Sequence, residues 1–251
     1  MLVVAERLSE FFDLPSNPVT KKNRPFIPQV TMKKLFTIFT AFTLTTLAAQ
    51  AQTIIANWTF EPDPLPINVT NSAIGPFSPA VGSGSVTGLH AVTNTVWSSP
   101  SGNGSSNSLS VNNWTTGDYF QFQFSTLTFS NIGMTWSQTR SGTGPTNFSL
   151  SYSTDGTAFT TFTNYSVAQV TWNSTSNNIA AIFTADFATT TSIDNQVDVY
   201  FRLVSEQTAA SGGTGRVDDI TITGVPEPST YAMLALAGAG FAGYVIRRRR
   251  R

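Results

Sequence analysis

From Thr53 onward the apolar residues of this chain recur at every second position. Ile54, Ala56, Trp58 and Phe60 alternate with polar or small neighbours, and Phe120, Phe122 and Phe124 alternate with Gln121, Gln123 and Ser125. The same period runs through Phe148, Leu150 and Tyr152, through Val197, Val199, Phe201 and Leu203, and ends at Ile220 and Ile222. A period of two puts successive side chains on opposite faces of a strand, one for a core and one for water. Antiparallel sheets are where such half-buried strands are stable. Gly, Ser, Asn and Pro clusters separate the runs at 82–88, 98–108, 141–145 and 211–215. Thr154-Asp155-Gly156 predicts a tight hairpin between 148–153 and 158–163, with Gly taking the positive φ. Residues 179–187 carry weak helical spacing and fit a strand equally well. About eight to ten short strands in one domain predict an all-β, antiparallel β-sandwich, of jelly-roll type, over residues 53–224.

The charge is uneven. Outside the two ends the only cations are Arg140, Arg202 and Arg216, set against ten acids, so the middle region carries a net charge of −7 and no lysine. Nucleic-acid binding needs clustered cations to neutralise phosphates, and this composition excludes it. Cysteine is absent, which removes disulfides, zinc–thiolate sites and thiol catalysis. The single histidine, His90, lies in a Gly/Ser-rich stretch with no acid near it in sequence, so histidine-based catalysis has little to build on. Paired carboxylates could cleave glycosides, but sequence spacing places no such pair. No catalytic residue is assigned.

The ends are targeting sequences. Met32-Lys33-Lys34, an apolar run over 35–47 and Ala49-Gln50-Ala51 have the three parts of a secretory signal peptide, which places residues 32–51 as a segment handled by the Sec export machinery and cleaved after Ala51. Residues 1–31 read as an over-extended reading frame ahead of Met32 and are expected to be disordered. At the other end, Val225-Pro226-Glu227-Pro228-Ser229 precedes an uncharged stretch, 230–246, and then Arg247, Arg248, Arg249, Arg250 and Arg251. The stretch is about 17 residues, the low end for a single transmembrane helix, and the arginines stay cytoplasmic by the positive-inside rule. The domain then lies outside.

Pro226-Glu227-Pro228, an apolar helix and a terminal arginine cluster, in that order over 225–251, resemble the PEP-CTERM sorting segment of exopolysaccharide-producing Gram-negative bacteria. The resemblance implies processing near the Pro-Glu-Pro by an exosortase, a membrane transpeptidase-like protease. The expected route is an inner-membrane-anchored precursor followed by release to the cell surface or extracellular matrix. Trp58-Thr59-Phe60-Glu61 and Arg216-Val217-Asp218-Asp219-Ile220 weakly resemble the first and last strands of jelly-roll carbohydrate-binding modules. That resemblance implies a structural calcium held by Glu61, Asp218 and Asp219; solvated or arginine-paired acids are the alternative. By alternation Asp218 shares the face of Ile220 and Ile222, and Asp219 that of Val217. Trp97 and Trp114 flank loop-like segments and are candidates for stacking on sugar rings, against core packing. Together these features predict a non-enzymatic structural sandwich of the extracellular matrix. A carbohydrate-binding module for exopolysaccharide is the alternative, with a glycan-active enzyme third.

Overall fold

In a computed structural model of the chain, residues 51–61, 68–227 and 230–249 are described. The signal peptide expected at 32–51, apart from Ala51, and the over-extended N-terminus expected at 1–31 lie outside the described residues. The alternating runs form fourteen strands among the described residues, several of two or three residues only, in two antiparallel sheets. The first sheet contains β1 (Thr53–Trp58), β2 (Val69–Thr70), β4 (Val81–Gly82), β6 (Val96–Ser98), β7 (Leu109–Val111), β9 (Phe129–Arg140), β12 (Ile182–Asp186) and β14 (Gly215–Pro226). Its order is β12-β9-β14-β7-β6-β2, with β1 pairing β14 and β4. The second, ordered β11-β10-β13-β8-β5-β3, contains β3 (Ala73–Phe77), β5 (Gly84–Leu89), β8 (Tyr119–Phe124), β10 (Asn147–Ser153), β11 (Thr160–Ser166) and β13 (Val199–Ser205).

Period two becomes burial. In β8, Phe120, Phe122 and Phe124 are buried while Tyr119, Gln121 and Gln123 are half-buried on the other face. In β13, Val199, Phe201 and Leu203 are buried and alternate with Tyr200, Arg202 and Val204. These rows meet Trp58, Ile132, Met134, Trp136, Ile220 and Ile222 of the first sheet in one aromatic-rich core. The chain enters and leaves through paired strands, with Thr53 opposite Gly224 and Trp58 opposite Ile220.

Three expectations change and one open alternative closes on the strand. The tight hairpin is a six-residue loop between β10 and β11, because Asp155 Oδ1 accepts the N–H groups of Thr157 (2.8 Å) and Ala158 (2.8 Å) and extends the turn. Residues 179–187 open on a 3₁₀ turn, Ile179–Ala181, capped by Asn178, and continue as β12. The sandwich does not stop at 224: β14 runs to Pro226. Asp219, at φ +50°, sits in a register shift opposite β9, so Val217 and Ile220 both face the core and Asp218 faces outward.

Beyond the sandwich, α1 (Thr230–Arg249) forms over the expected stretch. No helix among the described residues is long and apolar enough to cross a membrane. The expected transmembrane segment is thus present as a helix and falls short as a span. Arg247, Arg248 and Arg249 form its last turn.

Candidate functional site

The acids at the two ends of the domain do come together, beneath the loop formed by residues 99–108. Glu61 Oε1 accepts the Asn107 N–H at 2.7 Å and its Oε2 the Asn107 amide at 3.4 Å. Asp218, fully buried, accepts the Asn103 N–H (2.8 Å) and the Ser105 hydroxyl (2.6 Å) on Oδ2, and the Asp219 N–H (2.8 Å) on Oδ1. Asn103 in turn reaches across the first sheet. Its amide donates to Ser137 Oγ (3.0 Å) and the Asn178 carbonyl (3.2 Å), while its Oδ1 accepts the Asn178 N–H (2.6 Å). Burial, and then Glu61's charge, raise the Asp219 carboxyl above its ordinary value.

Two of the three acids that the resemblance assigns to calcium are already partnered by the protein. Every carboxylate oxygen of Glu61 and Asp218 already accepts at least one hydrogen bond from the protein. Among the described residues no group of three or more acidic or histidine side chains is placed to hold a metal ion. Arginine pairing is not the answer either. Arg216 donates to the Ser101 carbonyl at 3.2 Å and lies over the Trp172 ring, 5.9 Å from its centroid. Glu61 and Asp218 pin a loop. Asn103, Ser105 and Asn107 went unread in the sequence because an Asn/Ser/Gly-rich stretch looks like any connector; a buried Asn leaves no signal in composition.

The two tryptophans proposed to stack on sugars are core residues. Trp97 is 0% exposed and Trp114 1%. Their indole N–H groups donate to the carbonyls of Asn71 (2.8 Å) and Val111 (3.0 Å), which satisfies the polar edge of each ring inside the protein. A Cβ at Gly88 would collide with the Trp97 ring, so the glycine makes room for it. Flanking loops suggested exposure, but the rings pack inward, Trp97 on His90 and Phe120 and Trp114 on His90, Phe120 and Phe148.

His90 is held between the same two rings, its centroid 5.0 Å from Trp97 and 4.4 Å from Trp114. An acid is near it after all: Nδ1 lies 3.4 Å from Asp118 Oδ2. Asp118 is occupied in positioning, accepting the Ala91 N–H at 2.8 Å and the Thr115 N–H at 2.6 Å. Burial lowers the His90 value from 6.5 to about 4 despite Asp118, whereas burial raises Asp218 from 3.8 to about 7. The histidine therefore contributes stability that is complete above pH 6.5 and is lost as pH falls toward 4, about 3 kcal/mol at most. Asp218 acts oppositely: its contribution is complete below pH 3.8 and is lost as pH rises toward 7. Between about pH 4 and 6.5 the two offset each other. Thermal melts should separate them: Asp218→Asn is expected to melt higher as pH rises through that window, and His90→Gln lower. Parallel curves would contradict the assignment.

The outer face of the second sheet carries a different cluster. The Arg202 guanidinium is stacked between Tyr119 and Phe159, 3.9 and 3.7 Å from their ring centroids, and its Nε donates to Gln121 Oε1 at 2.8 Å. Gln123 donates to Asp198 Oδ1 at 2.9 Å, and Tyr200 is the cross-strand partner of Gln123. All of these side chains are half-buried. The sequence had shown Gln121, Gln123 and Arg202 only as the polar half of an alternation.

Of the sorting residues, Pro226 and Glu227 are exposed at the end of β14, Pro228 lies outside the described residues, Arg247, Arg248 and Arg249 are exposed on α1, and Arg250 and Arg251 lie outside the described residues.

The described residues define an antiparallel β-sandwich followed by a helical, arginine-ended tail. That tail is a protein-sorting segment: residues 224–251 match the PEP-CTERM protein-sorting motif. No curated protein matches the chain. Among solved structures, the CBM22-1–GH10 modules of Clostridium thermocellum endo-1,4-β-D-xylanase 10B, complexed with xylohexaose, are 15% identical over 68% of this chain and 28% of that one, with a TM-score of 0.43. The K2 cleaved adhesin domain of Lys-gingipain is 15% identical over 68% and 97%, with a TM-score of 0.42. The CBM22-1–CBM22-2 tandem of Paenibacillus barcinonensis Xyn10C is 13% identical over 72% and 49%, with a TM-score of 0.41. This chain thus spans less than half of either xylanase chain. These likenesses are loose, and the fold assignment stands on the strand pairings above.

Proposed function

We propose that this is an exported protein, recognised by an exosortase through its C-terminal segment, that displays a non-enzymatic β-sandwich at the cell surface or in the extracellular matrix. The sorting motif at 224–251 carries the reading. Sec-dependent export and an inner-membrane precursor stage are part of the proposal. Burial of the sole histidine among tryptophans supports a non-catalytic domain, since a solvent-borne substrate cannot reach its ring nitrogens. Glu61 and Asp218 act as loop anchors in this reading, so melting with calcium or with a chelator should give the same temperature.

Replacing Pro226-Glu227-Pro228 with alanines is expected to leave an unprocessed precursor in the envelope of cells that carry the exosortase. Surface display of that variant at the wild-type level would overturn the sorting reading.

A second reading concerns the sandwich itself. Tyr119, Phe159 and Tyr200, interleaved with Gln121, Gln123 and Arg202, offer flat apolar faces beside amide and guanidinium groups on one sheet face, a combination suited to the faces and hydroxyls of a polysaccharide. If this face binds matrix exopolysaccharide, Arg202→Ala should weaken retention of the protein on that polysaccharide at least tenfold, about 1.4 kcal/mol. Equal retention of the variant excludes the face.

A further inference from the structure

The last strand of the sandwich and the first residues of the sorting motif are the same residues. β14 pairs with β9 past the core, Val225 opposite Ser130 and Pro226 opposite Phe129. One residue further, the Glu227 N–H donates to the Thr128 carbonyl at 2.7 Å. The approach to this point is fixed. Val225 is buried, and a Cβ at Gly224 would come within 2.8 Å of Ile55 and 3.1 Å of Ile132, so the chain enters the motif packed against the core.

The receiving turn is fixed as well. The Thr128 N–H donates to Asn195 Oδ1 at 2.9 Å, and the Asn195 N–H donates to the Phe129 carbonyl at 2.9 Å. Thr126 ties the same turn to the Ile193 carbonyl through its hydroxyl at 2.6 Å. The strand end is weaker than its cradle. Pro226 has no N–H to give to a ladder, Glu227 is exposed, and the Glu227 charge adds to burial in raising the Asp194 carboxyl.

We propose that the sandwich latches its own sorting signal: Val225, Pro226 and Glu227 are held as the closing rungs of β14 against residues 128–130, and the processing enzyme gains them only when that strand end frays. The inference rests on the exosortase reading above. Proteins that read a peptide commonly take it extended and bond to its backbone, and the Glu227 N–H cannot serve Thr128 and an enzyme at once. Processing then follows the population of the frayed end, a local opening that leaves the core intact. A domain packed correctly around β14 is then released more slowly than one with a loose end.

Two full-length variants test this in cells that carry the exosortase, by pulse-chase of precursor and processed forms. A six-residue Gly/Ser linker inserted between Val225 and Pro226 keeps the motif and frees it from the sheet. Its processing is expected to be about five- to tenfold faster, the factor set by one or two released backbone hydrogen bonds. The paired substitutions Val225→Cys and Ser130→Cys, in a chain with no other cysteine, are expected to form a disulfide in the exported protein, halt processing, and release it on reduction. Equal rates for wild type, linker variant and the disulfide-linked form overturn the latch while leaving the sorting reading intact. Wild-type processing that does not depend on the exosortase overturns the sorting reading and the latch with it.

Discussion

Trp114→Ala is expected to lower the melting temperature by about 6–20 °C. The ring is 1% exposed and packs on His90, Phe120 and Phe148, with centroid distances of 4.4, 5.2 and 5.4 Å. Truncating a buried tryptophan removes its transfer free energy and leaves a cavity, together about 3–5 kcal/mol. In a domain of this size each kcal/mol moves the midpoint by about 2–4 °C. A sugar-stacking tryptophan at the surface would give a shift near zero, so a melt decides between the two roles with no ligand in hand.

The second large effect is expected at Asn103, where a small polar side chain ties three segments together. Alanine removes its donors to Ser137 Oγ and the Asn178 carbonyl and its acceptor for the Asn178 N–H. Buried groups left without partners cost about 1–3 kcal/mol each, and some regain water once the loop loosens, so about 2–4 kcal/mol is expected in all. The melting temperature should fall by about 5–15 °C. Limited proteolysis should cut the variant within residues 99–108, where the wild type resists. Calcium should not restore it. Rescue by calcium would mean that Glu61 and Asp218 serve a metal rather than the loop.

The sequence made the sandwich legible through a period that cannot be produced by anything but strands, and Phe120, Phe122 and Phe124 face inward as their spacing required. Alternation failed at Asp218. A single residue at positive φ resets the period, so Asp218 lies on the outer face although it counts in step with Ile220. Local spacing also could not show which way a ring turns. Trp97 and Trp114 looked exposed beside Gly- and Asn-rich segments, and their rings turn inward onto Phe120 instead. Asp118, 28 residues from His90, was invisible as its partner because the contact extends the pairing of β5 with β8, one step beyond Leu89 opposite Tyr119, and local spacing does not show which strands pair. The tail was the easier part, since proline, charge and uncharged length are written in sequence order. Its engagement by β9 was not, because pairing across residues 128–130 and 225–227 depends on the whole topology.

In the proposed function a folded sandwich runs directly into a sorting signal on which an exosortase acts. Intact mass of the protein recovered from the cell envelope, with and without the exosortase, tests it most directly. The expected mass is that of a chain that begins after Ala51 in both cases and loses its C-terminal arginines only where the enzyme is present. A mass that retains Arg251 in both, with the protein equally displayed at the surface, would contradict it.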